Sequence, residues 1–156
     1  MEGTVIHLSL ETEETGFDDY RYANHKALVF DDILTQSICI EQNWKLGKGG
    51  ILWDSAYILA NYIYKHCEFR GKKVIELGAG CALTSIIVGS MGAEVVSTDI
   101  QPTIQLTSRN LDRNQALIQS YTVVELDWTK PEDREKLPYE KFDVIFMSDL
   151  FYLPVT

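Results

Sequence analysis

Basic residues are scarce in this sequence: 14 Lys and Arg stand against 23 Asp and Glu, a formal net charge of −9. That balance repels a phosphate backbone and no basic cluster offsets it, so nucleic acid is not expected as a partner. The acidity serves solubility, or alternatively attracts a basic partner such as a lysine-bearing protein. Long apolar runs are missing too. Nothing approaches the ~18 uninterrupted apolar residues of a membrane helix, and Glu2, Glu11, Glu13 and Glu14 are acidic where a secretory leader is basic. A soluble cytoplasmic protein with no membrane partner is the expectation. Cysteine is sparse, and Cys39, Cys67 and Cys81 lack Cys-x-x-Cys spacing, while His7, His25 and His66 are scattered. Neither a disulfide framework nor a metal is expected.

What is present is enough apolar residue, 46%, for one packed core. Short β-rich bursts at Thr4 to Leu8, Ala27 to Phe30 and Ser37 to Ile40 predict an antiparallel N-terminal extension over 1–48, with a loose acidic stretch from Glu11 to Asp19. After Gly47-Lys48-Gly49-Gly50, Asp54-Ser55 reads as the N-cap of a helix from Ala56 to about His66. Its spacing places Ile58, Leu59, Tyr62 and Ile63 on one face toward the main sheet.

From Lys72 onward strands and helices alternate. Strands are predicted at Val74 to Leu77, Glu94 to Thr98, Tyr121 to Leu126 and Phe142 to Met147. Helices are predicted from Leu83 to Met91 and from Pro102 to about Gln115, and a looser Pro-flanked connection from Thr129 to Pro138. This βαβαβ order predicts an α/β, Rossmann-like, doubly wound parallel sheet with right-handed crossovers over 49–156.

Gly78 and Gly80 fall between the first of these strands and its helix, where missing side chains admit a ligand to the backbone and amides and a helix N-terminus point toward it. A tight strand-to-helix connection uses glycines as well, so the turn alone is a weak signal. Asp99 closes the next strand at nearly the ~20-residue interval at which a carboxylate hydrogen-bonds ribose hydroxyls, which makes a bound nucleoside the better reading. A dinucleotide fingerprint would have its third glycine at position 83, which is Leu83, so a pyrophosphate ligand and a nicotinamide oxidoreductase are disfavoured. S-adenosylmethionine has no pyrophosphate and carries an ammonium group, toward which Glu76 supplies negative charge.

These segments, with Gly50-Ile51-Leu52-Trp53-Asp54, Leu126-Asp127-Trp128 and Ser148-Asp149-Leu150-Phe151-Tyr152, resemble the seven-β-strand (class I) S-adenosylmethionine-dependent protein-lysine methyltransferases with an Asp-x-x-Tyr motif. The resemblance runs from about Gly49 to Tyr152. It implies cofactor contacts from Trp53, Glu76, Gly78, Ala79, Gly80, Asp99, Trp128 and Ser148, and catalytic roles for Asp149 and Tyr152. It also implies a protein substrate, not a histone, that bears a lysine. Indole faces suit adenine or a sulfonium, though tryptophan is as often a core residue. A lysine amine, with a pKa of about 10.4, must lose its proton to attack the methyl group. Asp149 and Tyr152 would align it, desolvation would lower its pKa, and orientation would supply most of the rate.

Relative to the family's seven strands, the sequence ends just after the fourth. The expectation is therefore a sheet whose last strands are missing, with an uncovered apolar edge. A small-molecule methyltransferase, or a non-catalytic S-adenosylmethionine-binding or regulatory module, are the competing readings.

Overall fold

The computed structural model describes residues 5–6, 25–28 and 37–151. Tyr152 and the acidic stretch from Glu11 to Asp19 lie outside the described residues. The described residues form two sheets. In the first, β1 (Val5–Ile6), β2 (His25–Leu28) and β3 (Ile38–Glu41) run antiparallel in the order β1-β2-β3. The second is wholly parallel and holds β4 (Lys73–Leu77), β5 (Glu94–Asp99), β6 (Ser120–Glu125) and β7 (Val144–Met147) in the order β6-β5-β4-β7. The chain steps outward from β4 through β5 to β6, then returns to the other side of β4 as β7. The strand order therefore reverses between β4 and β7, and it is at the carboxyl edge of such a switch point that open α/β sheets take their ligands.

Period-two alternation assigns the faces. Val74 and Val95 point toward α2 (Leu83–Ser90), and Ile75 and Val96 point away from it. α2 buries residues on every side, from Leu83 to Gly89, because it lies between the sheet and α1 (Asp54–His66). Its packing leaves no slack: a Cβ on Gly89 would stand 2.5 Å from Ile118 Cγ2. Truncating Ile87, which is fully buried, would cost about 3 kcal/mol. α3 (Thr103–Arg113) buries Ile104, Leu106, Thr107, Asn110 and Leu111, a stripe at three- and four-residue spacing. The opposite face of the sheet is covered more thinly, by Leu137, Tyr139 and Phe142 from the β6 to β7 connection.

α1 departs from the expected phase. Ile58 and Tyr62 are 67% and 60% exposed, and the buried residues are Ala60 and Ile63. The inward stripe is narrow, with Ala60 and Ile63 three residues apart on the buried side. Its cap differs as well: Trp53 occupies the N-cap position without a side-chain bond, and Asp54 is the first helical residue. There its negative charge still suits the helix dipole.

β7 forms one side of the parallel sheet. Its Ile145 and Met147 are 58% and 53% exposed, as the apolar edge expected from the sequence.

Candidate cofactor site

The site begins with β4, whose alternation turns Glu76 toward α2 and delivers the chain into Gly78-Ala79-Gly80. Gly78 and Gly80 both adopt positive φ, 62° and 53°, which a residue with a Cβ accepts only under strain. Crowding is the second reason for glycine: a Cβ on Gly78 would stand 2.5 Å from Leu150 Cδ2, and one on Gly80 would stand 3.2 Å from the Gly49 carbonyl oxygen. The segment after β3 and the loop after β7 thus close on the turn from two sides.

The amides of the turn are used differently from the expectation that they face a ligand. Ala79 N–H donates to the Thr98 carbonyl at 2.9 Å, and Gly80 N–H donates to Asp99 Oδ2 at 2.8 Å. Both are consumed in tying the turn to β5. These two amides are therefore not directed outward as an anion-binding nest.

Asp99 holds the turn with one oxygen and accepts from the Ile100 amide with the other, at 2.8 Å. Burial raises its pKa against these two bonds, which lower it. Each carboxylate oxygen keeps a second lone pair for a hydroxyl donor. Ile100, next in sequence, is 48% exposed at the carboxyl end of β5. The sequence reading missed it, although a large aliphatic residue directly after the strand-end carboxylate was visible.

Glu76 is buried at 4% exposure. Its Oε2 accepts from the Ser85 amide at 2.9 Å and the Ser85 hydroxyl at 2.5 Å, and Ser85 Oγ lies 2.9 Å from Ser97 Oγ. The carboxylate so caps the N-terminus of α2 from inside the strand, where Ala82, in the left-handed region at φ 63°, has no side chain able to do so. Burial, reinforced by Asp99, overcomes these hydrogen bonds and pushes the Glu76 pKa up to about 7.

Trp53 is 44% exposed and its Nε1–H donates to the Lys48 carbonyl at 2.9 Å. Trp128 is 54% exposed on the turn after β6. That turn is braced: Asp127 Oδ1 accepts from the Thr129 amide at 3.0 Å and its hydroxyl at 2.6 Å, and the Asp127 amide donates to Asp133 Oδ2 at 2.8 Å. These bonds to Thr129 hold the Asp127 carboxyl below the usual range. A large indole presented to solvent from a rigid turn suits a ligand face better than a core position.

Ser148 and Asp149 follow β7. Asp149 is exposed, has φ 56°, and its Oδ2 lies 3.5 Å from the Ser55 hydroxyl at the start of α1. Gly78, Ala79, Gly80 and Asp99 therefore form one hydrogen-bonded unit. Trp128 lies after the carboxyl end of the strand beside β5, and Asp149 after that of the strand beside β4. Among the described residues no group of three or more His, Cys, Asp and Glu is placed to hold a metal ion, and no helix is long and apolar enough to cross a membrane.

The parallel sheet, with a glycine turn after β4 and a carboxylate at the end of β5, recurs in a solved structure. The structure of a protein from Streptococcus mutans described as an S-adenosylmethionine-dependent methyltransferase superposes with a TM-score of 0.55 at 20% identity, covering 78% of this chain and 31% of that one. The chain belongs to the lysine methyltransferase family, whose model matches residues 33–156. Among its relatives are protein N-lysine methyltransferase METTL21A of Danio rerio, 32% identical over 88% of this chain and 59% of that protein, and its Mus musculus counterpart, 34% identical over 85% and 62%. EEF1A lysine methyltransferase 3 of Xenopus tropicalis is 34% identical over 69% of this chain and 47% of its own length. The chain thus spans roughly half to three-fifths of the length of these curated relatives.

Proposed function

We propose that this protein binds S-adenosylmethionine at the glycine turn and transfers its methyl group to a lysine of a protein other than a histone. The observation that carries the reading is the hydrogen-bonded unit of Gly80 and Asp99, with exposed Ile100 beside it and Trp128 on the adjacent strand's turn. Adenine would lie against Ile100 and Trp128, and the ribose hydroxyls would donate to Asp99. The amino acid end would lie over Gly78 and Ala79, near Glu76 and Trp53, with Ser148 on the β7 side. The residues fit the group because each Asp99 oxygen accepts one amide and keeps a second lone pair for a hydroxyl donor.

When bound, the cofactor supplies an electrophilic sulfonium methyl. The chain must present a neutral amine to it. Asp149, aided by Tyr152, would accept hydrogen bonds from the incoming ammonium and orient it, and the amine would release its proton to solvent before attack. Most of the acceleration would come from orientation. Support for a lysine acceptor comes from family membership and the names of the relatives. The net charge of −9 favours a basic protein partner over nucleic acid, and Cys39, Cys67 and Cys81, none in a disulfide, suit the cytoplasm.

The test is incubation of the 156-residue chain with labelled S-adenosylmethionine and a cell lysate. Methyl-lysine in the hydrolysed protein fraction is the expected product; label confined to small molecules would refute the protein acceptor. Binding without any transfer would mark a non-catalytic module. Asp149→Ala should leave cofactor affinity within about twofold while lowering transfer at least tenfold, the size expected for a lost orienting contact. Equal losses in both would mean that Asp149 is structural.

A further inference from the structure

α3 carries a polar residue that the proposed chemistry does not use. Asn110 is fully buried at 0% exposure, yet every polar atom of its amide is engaged. Oδ1 accepts from the Glu41 amide at 2.7 Å, and Nδ2 donates both to the Glu41 carbonyl at 2.9 Å and to the Cys81 carbonyl at 3.1 Å. One side chain so joins the end of β3 to the end of the glycine turn. One helical turn earlier, Thr107 Oγ1 donates to the Gly80 carbonyl at 2.7 Å.

Asn114 provides an internal comparison. Its Oδ1 accepts from the Cys39 amide at 3.0 Å, and its Nδ2 donates to the Cys39 carbonyl at 2.8 Å and to the Asn110 carbonyl at 2.7 Å. Cys39 and Glu41, two apart on β3, direct their backbone groups to the same side, away from β2. The two asparagines meet that edge as a neighbouring strand would. Asn114 clamps β3 alone, whereas Asn110 clamps β3 and the turn together.

What β3 leads into gives this link its consequence. Directly after it, Gln42 accepts from the Leu52 amide at 2.8 Å, and the Asn43 amide donates to the Gly50 carbonyl at 2.8 Å, folding 42–52 into a closed loop. That loop lays the Gly49 carbonyl against Gly80 and the Lys48 carbonyl under the Trp53 indole. We propose that Asn110 is a positioning residue that fixes the 41–53 segment, with Trp53, to the glycine turn, so that two walls of the cofactor crevice move as one body. The proposal rests on the cofactor reading for its functional meaning, and on geometry alone for the coupling.

Hydrogen exchange of the full 156-residue chain reads the coupling without any ligand. Asn110→Ala should raise exchange both in 39–53 and in 78–82, whereas Asn114→Ala should raise it in 39–41 only. Should Asn110→Ala fold too poorly, Thr107→Val tests the link from the other end, because it loosens the turn with almost no change of shape. Faster exchange of the Glu41 amide in that variant supports the coupling; unchanged Glu41 protection, with the turn loosened, overturns it. Unchanged exchange in 78–82 in a folded Asn110→Ala chain overturns it equally. Calorimetry with S-adenosylhomocysteine supplies the functional arm. At a temperature where both variants are folded, Asn110→Ala should lose roughly tenfold more affinity than Asn114→Ala, the cost of one buried hydrogen bond. Equal losses would reduce Asn110 to a structural residue. If the unmodified chain fails to bind this probe while the exchange pattern holds, the cofactor reading fails and the bracket stands.

Discussion

Ile75 and Ile145 are the same residue type, paired in register on adjacent strands and pointing to the same face, yet one is 3% exposed and the other 58%. They mark the two halves of this molecule. On the β4 to β6 side, α2 and α3 cover one face of the sheet and Leu137, Tyr139 and Phe142 cover the other. On the β7 side, Ile145, Met147 and Asp149 stand open. In the proposed reaction the cofactor would rest mainly on the first half and the acceptor lysine on the second, so the comparison separates tests of binding from tests of transfer.

The enclosed half is broken most severely through Asp99. Asp99→Ala removes the acceptor for the Gly80 and Ile100 amides, together with the acceptor proposed for the ribose hydroxyls. Charge-assisted bonds of this kind contribute about 1.5–3 kcal/mol each, so affinity for S-adenosylhomocysteine should fall about a hundredfold or more. Calorimetry checks this directly, and an affinity within threefold of the parent chain would exclude the ribose role.

Glu76 sharpens the same half through pH. Its pKa in the folded chain is about 7, against 4.5 for an unperturbed glutamate, because burial disfavours the charged form. A raised folded pKa means that the native state binds the proton more tightly than the unfolded state. The associated stabilisation is complete below about pH 4.5 and is lost as pH rises through about 7. Asp99, the charged group acting on Glu76 from β5, raises its pKa further by repulsion. Glu76→Gln keeps an oxygen for Ser85 and cannot ionise, so the stability difference, variant minus parent, should grow from pH 5.5 to pH 8.5. A difference that is flat with pH in denaturant titrations would mean that Glu76 is already neutral or already solvated throughout.

Legibility follows the same division. The parallel strands, α2, α3, the glycine turn and Asp99 were readable because hydrophobic periodicity and the spacing of Gly78, Gly80 and Asp99 are local properties of sequence. The outward turn of Ile58 and Tyr62 was not, since four apolar residues in one helical stretch do not say which pair meets a neighbour. Glu76 was read as an acid directed at a ligand, and its position as the cap of α2 depends on Ser85 lying opposite it, a tertiary fact. Asn110 carried no signal at all: an asparagine inside a helix reads as a poor helix former, and only the approach of β3 and Cys81 gives its amide a purpose.

The smallest expected effect tests the open half. Ile145→Thr places a β-branched residue of good strand propensity at an exposed position, so unfolding free energy should change by no more than about 0.5 kcal/mol. Ile75→Ala, one strand away on the same face, should cost about 3 kcal/mol by leaving a cavity. Denaturant titration of both variants at two protein concentrations decides the matter. If Ile145→Thr costs as much as Ile75→Ala, the β7 face is covered in solution. A cost that rises with protein concentration would assign that cover to a second copy, because only association makes apparent stability depend on concentration. A negligible cost at both concentrations leaves the face open beside Asp149, where an incoming protein substrate would have to lie.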